Sequence, residues 1–206
     1  MSIIGKIFKY LFVALIVMVF VLFFYRVSMM TDPKEMLDIL PSDAAKSIYS
    51  QNGELDVKTQ EMVNETVSSD GKFYTTGLMI LPETNELIIT VRYLDSTLNK
   101  LAEEYSIGPL DPKEKHFEFS LVSTSDKDLR LYPTETTTMR NWRYTYYRMR
   151  FEGVDISKYE ELAVEAYYLG DLDYSKQSFG SVFAYHQDWP LIDFDLTARD
   201  EKLLSE

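Results

Sequence analysis

Residues 73–94 read FYTTGLMILPETNELIITVRYL, and this stretch decides the fold. Two runs rich in β-branched and aromatic residues, 73–81 and 86–94, flank the four turn-forming residues Pro82-Glu83-Thr84-Asn85. Such a pair of runs with a short link is typical of a β-hairpin. Alternate residues of the second run share one apolar face, namely Leu87, Ile89, Val91 and Tyr93. The stretch therefore predicts two antiparallel strands with one face turned to a core.

Toward the C-terminus, short β-type runs recur with turn signals between them. They cover residues 117–121, 129–132, 143–151, 162–169, 179–185 and 191–196. A helical segment is inserted at 96–105, 134–138 is expected to be a polar loop, and 154–157 suits a crossover between two sheets. This arrangement predicts a mainly β fold, an antiparallel immunoglobulin-like β-sandwich with one inserted helix.

Toward the N-terminus lies the uncharged apolar run YLFVALIVMVFVLFFY, which extends from Tyr10 to Tyr25 and stops at Arg26. Extended to residues 7–25, the stretch is long enough to cross a hydrocarbon core of about 30 Å as a helix. The two tyrosines are placed to lie at the lipid headgroups. We therefore expect residues 7–25 to contact membrane lipid as a single transmembrane anchor.

Charge around this run predicts its orientation. Lys6 and Lys9 precede the apolar core of the run, which favours a cytoplasmic N-terminus and an extracytoplasmic domain at the cell membrane. A cleaved signal peptide is the alternative interpretation. Against it, the run is longer than a usual signal-peptide core, and the segment 26–33, RVSMMTDP, has no small-x-small cleavage site.

The chain therefore divides into four predicted regions. Residues 1–26 form a cytoplasmic tip and the anchor, and 27–53 form a membrane-proximal connector with short helices. Residues 54–197 form the β-sandwich domain, and 198–206 form a charged, frayed tail. The connector prediction depends on Ser42-Asp43 as a helix cap and on Asn52-Gly53 as a turn.

Composition excludes several function classes. The chain has 33 acidic and 21 basic residues, a net charge of −12. The first 26 residues hold three basic and no acidic side chains, so the remainder holds 18 basic and 33 acidic residues, a net charge of −15. Such a charge argues against binding nucleic acid and is compatible with a cationic protein partner. The chain has no cysteine, which excludes disulfides, and no cofactor is expected.

Four segments carry a resemblance to a known group. They are FFYRVSMM at 23–30, ITVRYLDSTL at 89–98, RFEGVDIS at 150–157 and YYLGDLDY at 167–174. In them the chain resembles uncharacterised single-pass membrane-anchored extracytoplasmic proteins of Gram-positive bacteria. The resemblance implies a retained anchor and an exported domain. It implies no activity, substrate or catalytic residue.

Catalytic motifs are absent from the sequence. There is no phosphate-binding glycine loop, no H-E-x-x-H and no G-x-S-x-G. The two histidines, His116 and His186, fall on different predicted strands, so the chain is not expected to be an enzyme. Asp171 and Asp173 form a D-x-D step that is a weak metal candidate, but turn formation is the favoured interpretation, and no metal is expected.

The most suggestive surface belongs to the run 143–151. One face of this predicted strand would carry Trp142, Tyr144, Tyr146, Arg148 and Arg150. Aromatic and arginine side chains are enriched at binding hot spots, so this face is the candidate binding site. The expected partner is a protein or peptide at the cell surface, bound there or at an exposed sheet edge. Alternatives are a cell-wall glycan stacked on the aromatic rings, an envelope-acting hydrolase, or cross-strand packing without a ligand.

Overall fold

The computed structural model describes residues 3–30, 33–60, 66–68, 70–104, 106, 108–169 and 178–206. The chain forms two compact units, Met1–Pro33 and Lys34–Glu206. The first contains helix α1 (Ile3–Met30). Within it, Lys6–Val27 is long and apolar enough to cross a membrane. A signal sequence near the N-terminus would have the same properties, so the helix by itself is compatible with both interpretations.

The second unit is mainly β and contains two antiparallel sheets, as predicted. The larger sheet consists of β1 (Lys58–Gln60), β2 (Thr66–Val67), β3 (Phe73–Leu81), β4 (Glu86–Leu94), β7 (Glu135–Asn141), β8 (Tyr144–Glu152) and β11 (Leu191–Asp193). Its order is β11–β1–β3–β4–β8–β7, with β2 paired to β3. The hairpin predicted over 73–94 is confirmed as β3 and β4, which pair from Phe73–Tyr93 to Leu81–Glu86.

The smaller sheet has four strands in the order β10–β9–β5–β6. They are β5 (Phe117–Ser123), β6 (Arg130–Leu131), β9 (Glu161–Tyr168) and β10 (Ser178–His186). The chain passes from β8 in the larger sheet to β9 in the smaller one, which confirms the crossover predicted at 154–157. There the Asp155 carboxylate caps the 3-10 helix Ile156–Lys158 by accepting from the backbone N–H of Ser157. The inserted helix is α3 (Asp95–Glu104).

The main core lies between the two sheets. Alternate residues of β4 face it, as the sequence predicts: Leu87, Ile89, Val91 and Tyr93. Strand β8 contributes Tyr147, Met149 and Phe151, and β5 contributes Phe117, Phe119 and Leu121. Because side chains alternate across a strand, the residues between these must face the other side of each sheet.

A second core covers the outer face of the larger sheet. It is formed by Ile39, Ala45, Leu55, Val57, Met79, Leu81, Ile88 and Leu204. Residues 34–41, which we call the strap, lie in this layer with helices α2 (Asp43–Asn52) and α4 (Ala198–Ser205). From Lys34 onward the expected connector is therefore part of the compact unit. The physical reason is that the larger sheet is apolar on both faces and needs a second cover.

Two sequence interpretations are wrong. The tail from residue 198 is not frayed, because it forms α4, where Thr197 and Asp200 make a capping box and Leu204 is buried. Residues 134–138 are not simply a loop, because strand β7 begins at Glu135. Its side chains are mostly solvated because the strand lies at the sheet edge, so it shows no alternation of apolar and polar residues.

Candidate functional site

The expected exposed face on β8 is interrupted in its centre. Tyr146 and Arg148 are only 1% and 3% exposed, so the prediction of a contiguous surface is wrong for these two residues. The Arg148 guanidinium donates to the carbonyl of Met36 in the strap and, at 3.0 Å, to the hydroxyl of Thr90. Burial lowers the pKa of Arg148 to about 10. Arg148 therefore holds the strap on the sheet.

The remaining members of the face lie at opposite ends of β8. Trp142 is 57% exposed and occupies the β7–β8 turn with a φ of 57°. The half-buried Tyr144 lies beneath the guanidinium of Arg92, whose central carbon is 4.7 Å from the ring centroid. Arg150 lies at the other end, inside a cleft. The structure thus does not bring the five predicted residues together on one open surface.

The open feature beside them is the edge strand β7. Its seven residues pair with β8 without interruption, from Glu135–Arg150 to Asn141–Tyr144. Five of the seven are exposed and two are half-buried. Within the described part of the chain, no strand pairs with the other side of β7. Proteins usually protect such an edge with proline, charged side chains (lysine above all) or a bulge. Strand β7 has no proline, lysine or bulge, and its two charged residues, Glu135 and Arg140, form ion pairs with Arg150 and Asp95.

Clefts flank β7 on both sides of the sheet. The outer cleft, of about 400 Å³, lies between Thr137 and Met139 of β7, the strap, and Arg199 and Leu203 of α4. The inner cleft, of about 310 Å³, is lined by Thr136, by the charged residues Lys115 and Glu118, and by the aromatic and proline residues Phe117, Phe119, Tyr132 and Pro133. Neighbouring threonines of one edge strand therefore line different clefts.

An ion pair connects the strap to α4 at the outer cleft. The Asp38 carboxylate accepts from Nε of Arg199 at 2.9 Å. Burial raises the pKa of Asp38, and the charge of Arg199 opposes this effect. In addition, the buried Asp200 accepts from the backbone N–H of Ile39 at 2.7 Å. The outer wall of the cleft is thereby fixed by contacts between segments 161 residues apart in the chain.

The histidines are engaged in local contacts. Nε2 of His186 is 2.9 Å from the Glu161 carboxylate, while its Nδ1 accepts from the backbone N–H of Asp188 at 3.2 Å. Nε2 of His116 is 2.6 Å from the carbonyl of Asp111. Neither histidine lines the outer or the inner cleft.

The metal prediction concerns a segment that lies outside the described residues, since both Asp171 and Asp173 belong to it. Among the residues that are described, no group of three or more histidine, cysteine or acidic side chains is placed to hold a metal ion. Asp193, from a second D-x-D step, pairs with Nζ of Lys58 at 2.5 Å. This contact joins β1 to β11 across the sheet.

Sequence reasoning missed β7, although a signal was present. Three consecutive threonines, 136–138, have high strand propensity and directly precede the β-type run 143–151. Two such runs joined by a short turn predict a hairpin. No protein-family model matches the chain, and neither a curated protein nor a solved structure is significantly similar to it. The function is therefore argued from this edge and its clefts.

Proposed function

We propose that this protein is a membrane-tethered module that captures an extended peptide segment of a protein partner by strand addition at β7. The observation that supports this function is a seven-residue edge that is paired on one side and exposed on the other. An added strand satisfies the free backbone N–H and C=O groups of such an edge, and these hydrogen bonds supply affinity that does not depend on sequence.

The flanking clefts supply the specificity. Side chains of an added strand point alternately to the two faces of the sheet. Those on the inner face reach the cleft beside Thr136, whose three aromatic side chains suit an apolar group, with Lys115 and Glu118 also in the lining. Those on the outer face reach the cleft beside Thr137, where charged and apolar residues are mixed. The preferred segment is therefore extended and carries apolar residues at alternate positions.

The module acts outside the cytoplasmic membrane, with Lys6–Val27 retained as the anchor. Lys6 and Lys9 support a cytoplasmic N-terminus. Protease added to intact, wall-stripped cells should digest the domain, and the form purified from membranes should begin at or next to Met1. A soluble product that begins near Thr31 would contradict the retained anchor.

A library of random linear peptides tests the function of the edge. The full chain in lipid nanodiscs serves as bait, with empty nanodiscs for counter-selection. Selected peptides should protect alternate backbone amides of 135–141 from hydrogen exchange, since strand addition gives new acceptors to the amides that face away from β8. Protection confined to another part of the domain, or no enrichment, would contradict the proposal.

Proline variants provide the sharper measurement. Successive N–H groups of a strand point in opposite directions, so one of Thr136→Pro and Thr137→Pro removes an N–H that faces away from β8. The variant with the smaller change in thermal midpoint identifies that position, and it should bind selected peptides at least about tenfold more weakly. Thr136→Val and Thr137→Val keep both backbone groups and should bind like the wild type.

A further inference from the structure

A third cleft, of about 600 Å³, lies at the Glu135 end of β7. Four carboxylates line it, from Asp43, Glu86, Glu135 and Glu152, against two basic side chains, from Lys46 and Arg150. We call it the acidic cleft. It is polar, it is built by the N-terminus of α2 and the ends of β4, β7 and β8, and it adjoins the edge at which the peptide segment is proposed to add.

Glu86 is the unusual member of this cleft. It is only 2% exposed, and one carboxylate oxygen accepts from the hydroxyl of Ser42. The other oxygen, Oε2, is buried and has no hydrogen-bond donor. The residue directly across the sheet is Glu152, a second carboxylate. Like charges directly opposite each other, and a buried carboxylate oxygen without a partner, both cost free energy in folding.

Arg150 lines the same cleft, but its charge is paired with carboxylates other than that of Glu86. The Arg150 guanidinium lies 3.0 Å from the Glu135 carboxylate and 3.2 Å from that of Glu152, and it also donates to the Leu40 carbonyl at 3.4 Å. Among the described residues, Glu86 has no ion pair. The N-terminus of α2 adds partial positive charge near Ser42, which offsets only part of the deficit.

We infer that the acidic cleft receives the side chain of a lysine or arginine, whose N–H groups bind Glu86 and its neighbours. A cationic donor supplies what the cleft lacks, a hydrogen bond to Oε2 and a compensating charge. A divalent ion fits less well, because Arg150 and Lys46 already line the cleft and the described residues contain no cluster of three metal-ligating side chains. That the cation belongs to the segment added at β7 rests on the proposed function.

The test uses Nα-acetyl-lysine methylamide as the cationic probe and Nα-acetyl-glutamine methylamide as the neutral one. Each is titrated into the full chain in detergent micelles while the amide NMR signals of Ser42, Glu86 and Gly153 are followed. The lysine derivative should give saturable shifts and the glutamine derivative none. Glu86→Gln should weaken binding at least tenfold, whereas Glu103→Gln, the same change at an exposed position of α3, should leave it unaltered.

If Glu86→Gln fails to fold, the half-exposed Glu152→Gln takes its place. Equal shifts with both probes, or wild-type affinity in the variant, would overturn the inference. Calcium chloride that shifts the same amides and displaces the lysine derivative would also overturn it, by assigning the cleft to a divalent ion.

The two proposals fail separately. Selected peptides that protect β7 but are not enriched in lysine or arginine would refute the acidic-cleft inference and leave the proposed function intact. Binding of the lysine derivative that persists although no peptide adds to β7 would refute the proposed function alone. Thr137→Pro should leave the affinity for the lysine derivative unchanged, because neither Thr137 nor the residue before it lines the acidic cleft.

Discussion

Replacing Asp200 by alanine should destabilise the domain strongly, although the residue lies in the last seven positions of the chain. Asp200 is fully buried in the first turn of α4. Its carboxylate accepts from the backbone N–H of Ile39 at 2.7 Å and from the N–H and hydroxyl of Thr197 at 2.9 and 2.7 Å. One side chain thus caps the helix and fastens it to the strap.

The magnitude follows from these contacts. Loss of half of a capping box costs about 1 kcal/mol. The N–H of Ile39 stays buried without an acceptor, which costs about 1–3 kcal/mol. The free energy of unfolding of Asp200→Ala should therefore fall by about 2–4 kcal/mol. For a domain of this size, such a loss lowers the thermal midpoint by about 4–16 °C.

Denaturant unfolding of the full chain in detergent, followed by tryptophan fluorescence, measures this loss. Glu201→Ala is the matched control, because Glu201 is the exposed neighbour of Asp200 in the same helical turn and should cost less than about 1 kcal/mol. Hydrogen exchange of the strap amides should accelerate in Asp200→Ala only. Equal stability of the two variants would refute the role of α4 and favour a frayed tail.

Three further predictions use the same unfolding assay. Phe119→Ala should lower the free energy of unfolding by about 3–5 kcal/mol and Glu118→Ala should lower it only slightly, since only Phe119 faces the core. The reverse order would mean that the strand register is wrong by one residue. Arg148→Ala should lower the free energy of unfolding by about 1–3 kcal/mol, because it leaves the Met36 carbonyl under the strap without its donor, and an unchanged stability would contradict this role. Burial raises the pKa of Asp38, so the folded state binds this proton more tightly than the unfolded state. As the pH rises above 3.8, the wild type should therefore lose stability relative to Asp38→Asn, and a constant difference would refute the shift.

The sequence was sufficient for features that depend on neighbouring residues. The hairpin over 73–94 follows from local alternation and its turn, and the cap of α2 follows from Ser42, whose hydroxyl accepts from the N–H of Ala45. The inward face of β4 follows from the period of two. These features need no knowledge of which distant segment packs where, because each is specified within one or two adjacent elements.

Features that depend on distant segments could not be predicted from the local sequence in the same way. Ile88 and Met79 indicate that the larger sheet is apolar on its second face, but they do not specify that the strap and α4 cover it. Arg148 reads as exposed when its strand is considered alone. It is buried because the strap covers it, where the backbone carbonyl of Met36, 112 residues away, accepts a hydrogen bond from its guanidinium. The predicted binding face was wrong at Tyr146 and Arg148, because a second layer covers that part of the sheet.

The same second layer explains why the proposed binding site lies at the edge strand β7 and not on the face of β8. Strand β8 is next to last in the larger sheet, so the strap can cover its centre while β7 remains open on one side. The strap also forms the outer wall of one cleft, and Ser42, which follows it, donates to Glu86 in the acidic cleft. The segment that covers the predicted face therefore contributes to the outer cleft and, through Pro41, to the acidic cleft. A substitution that loosens the strap, such as Asp200→Ala, should weaken peptide binding on the outer face while leaving the inner cleft at Phe117 and Phe119 intact.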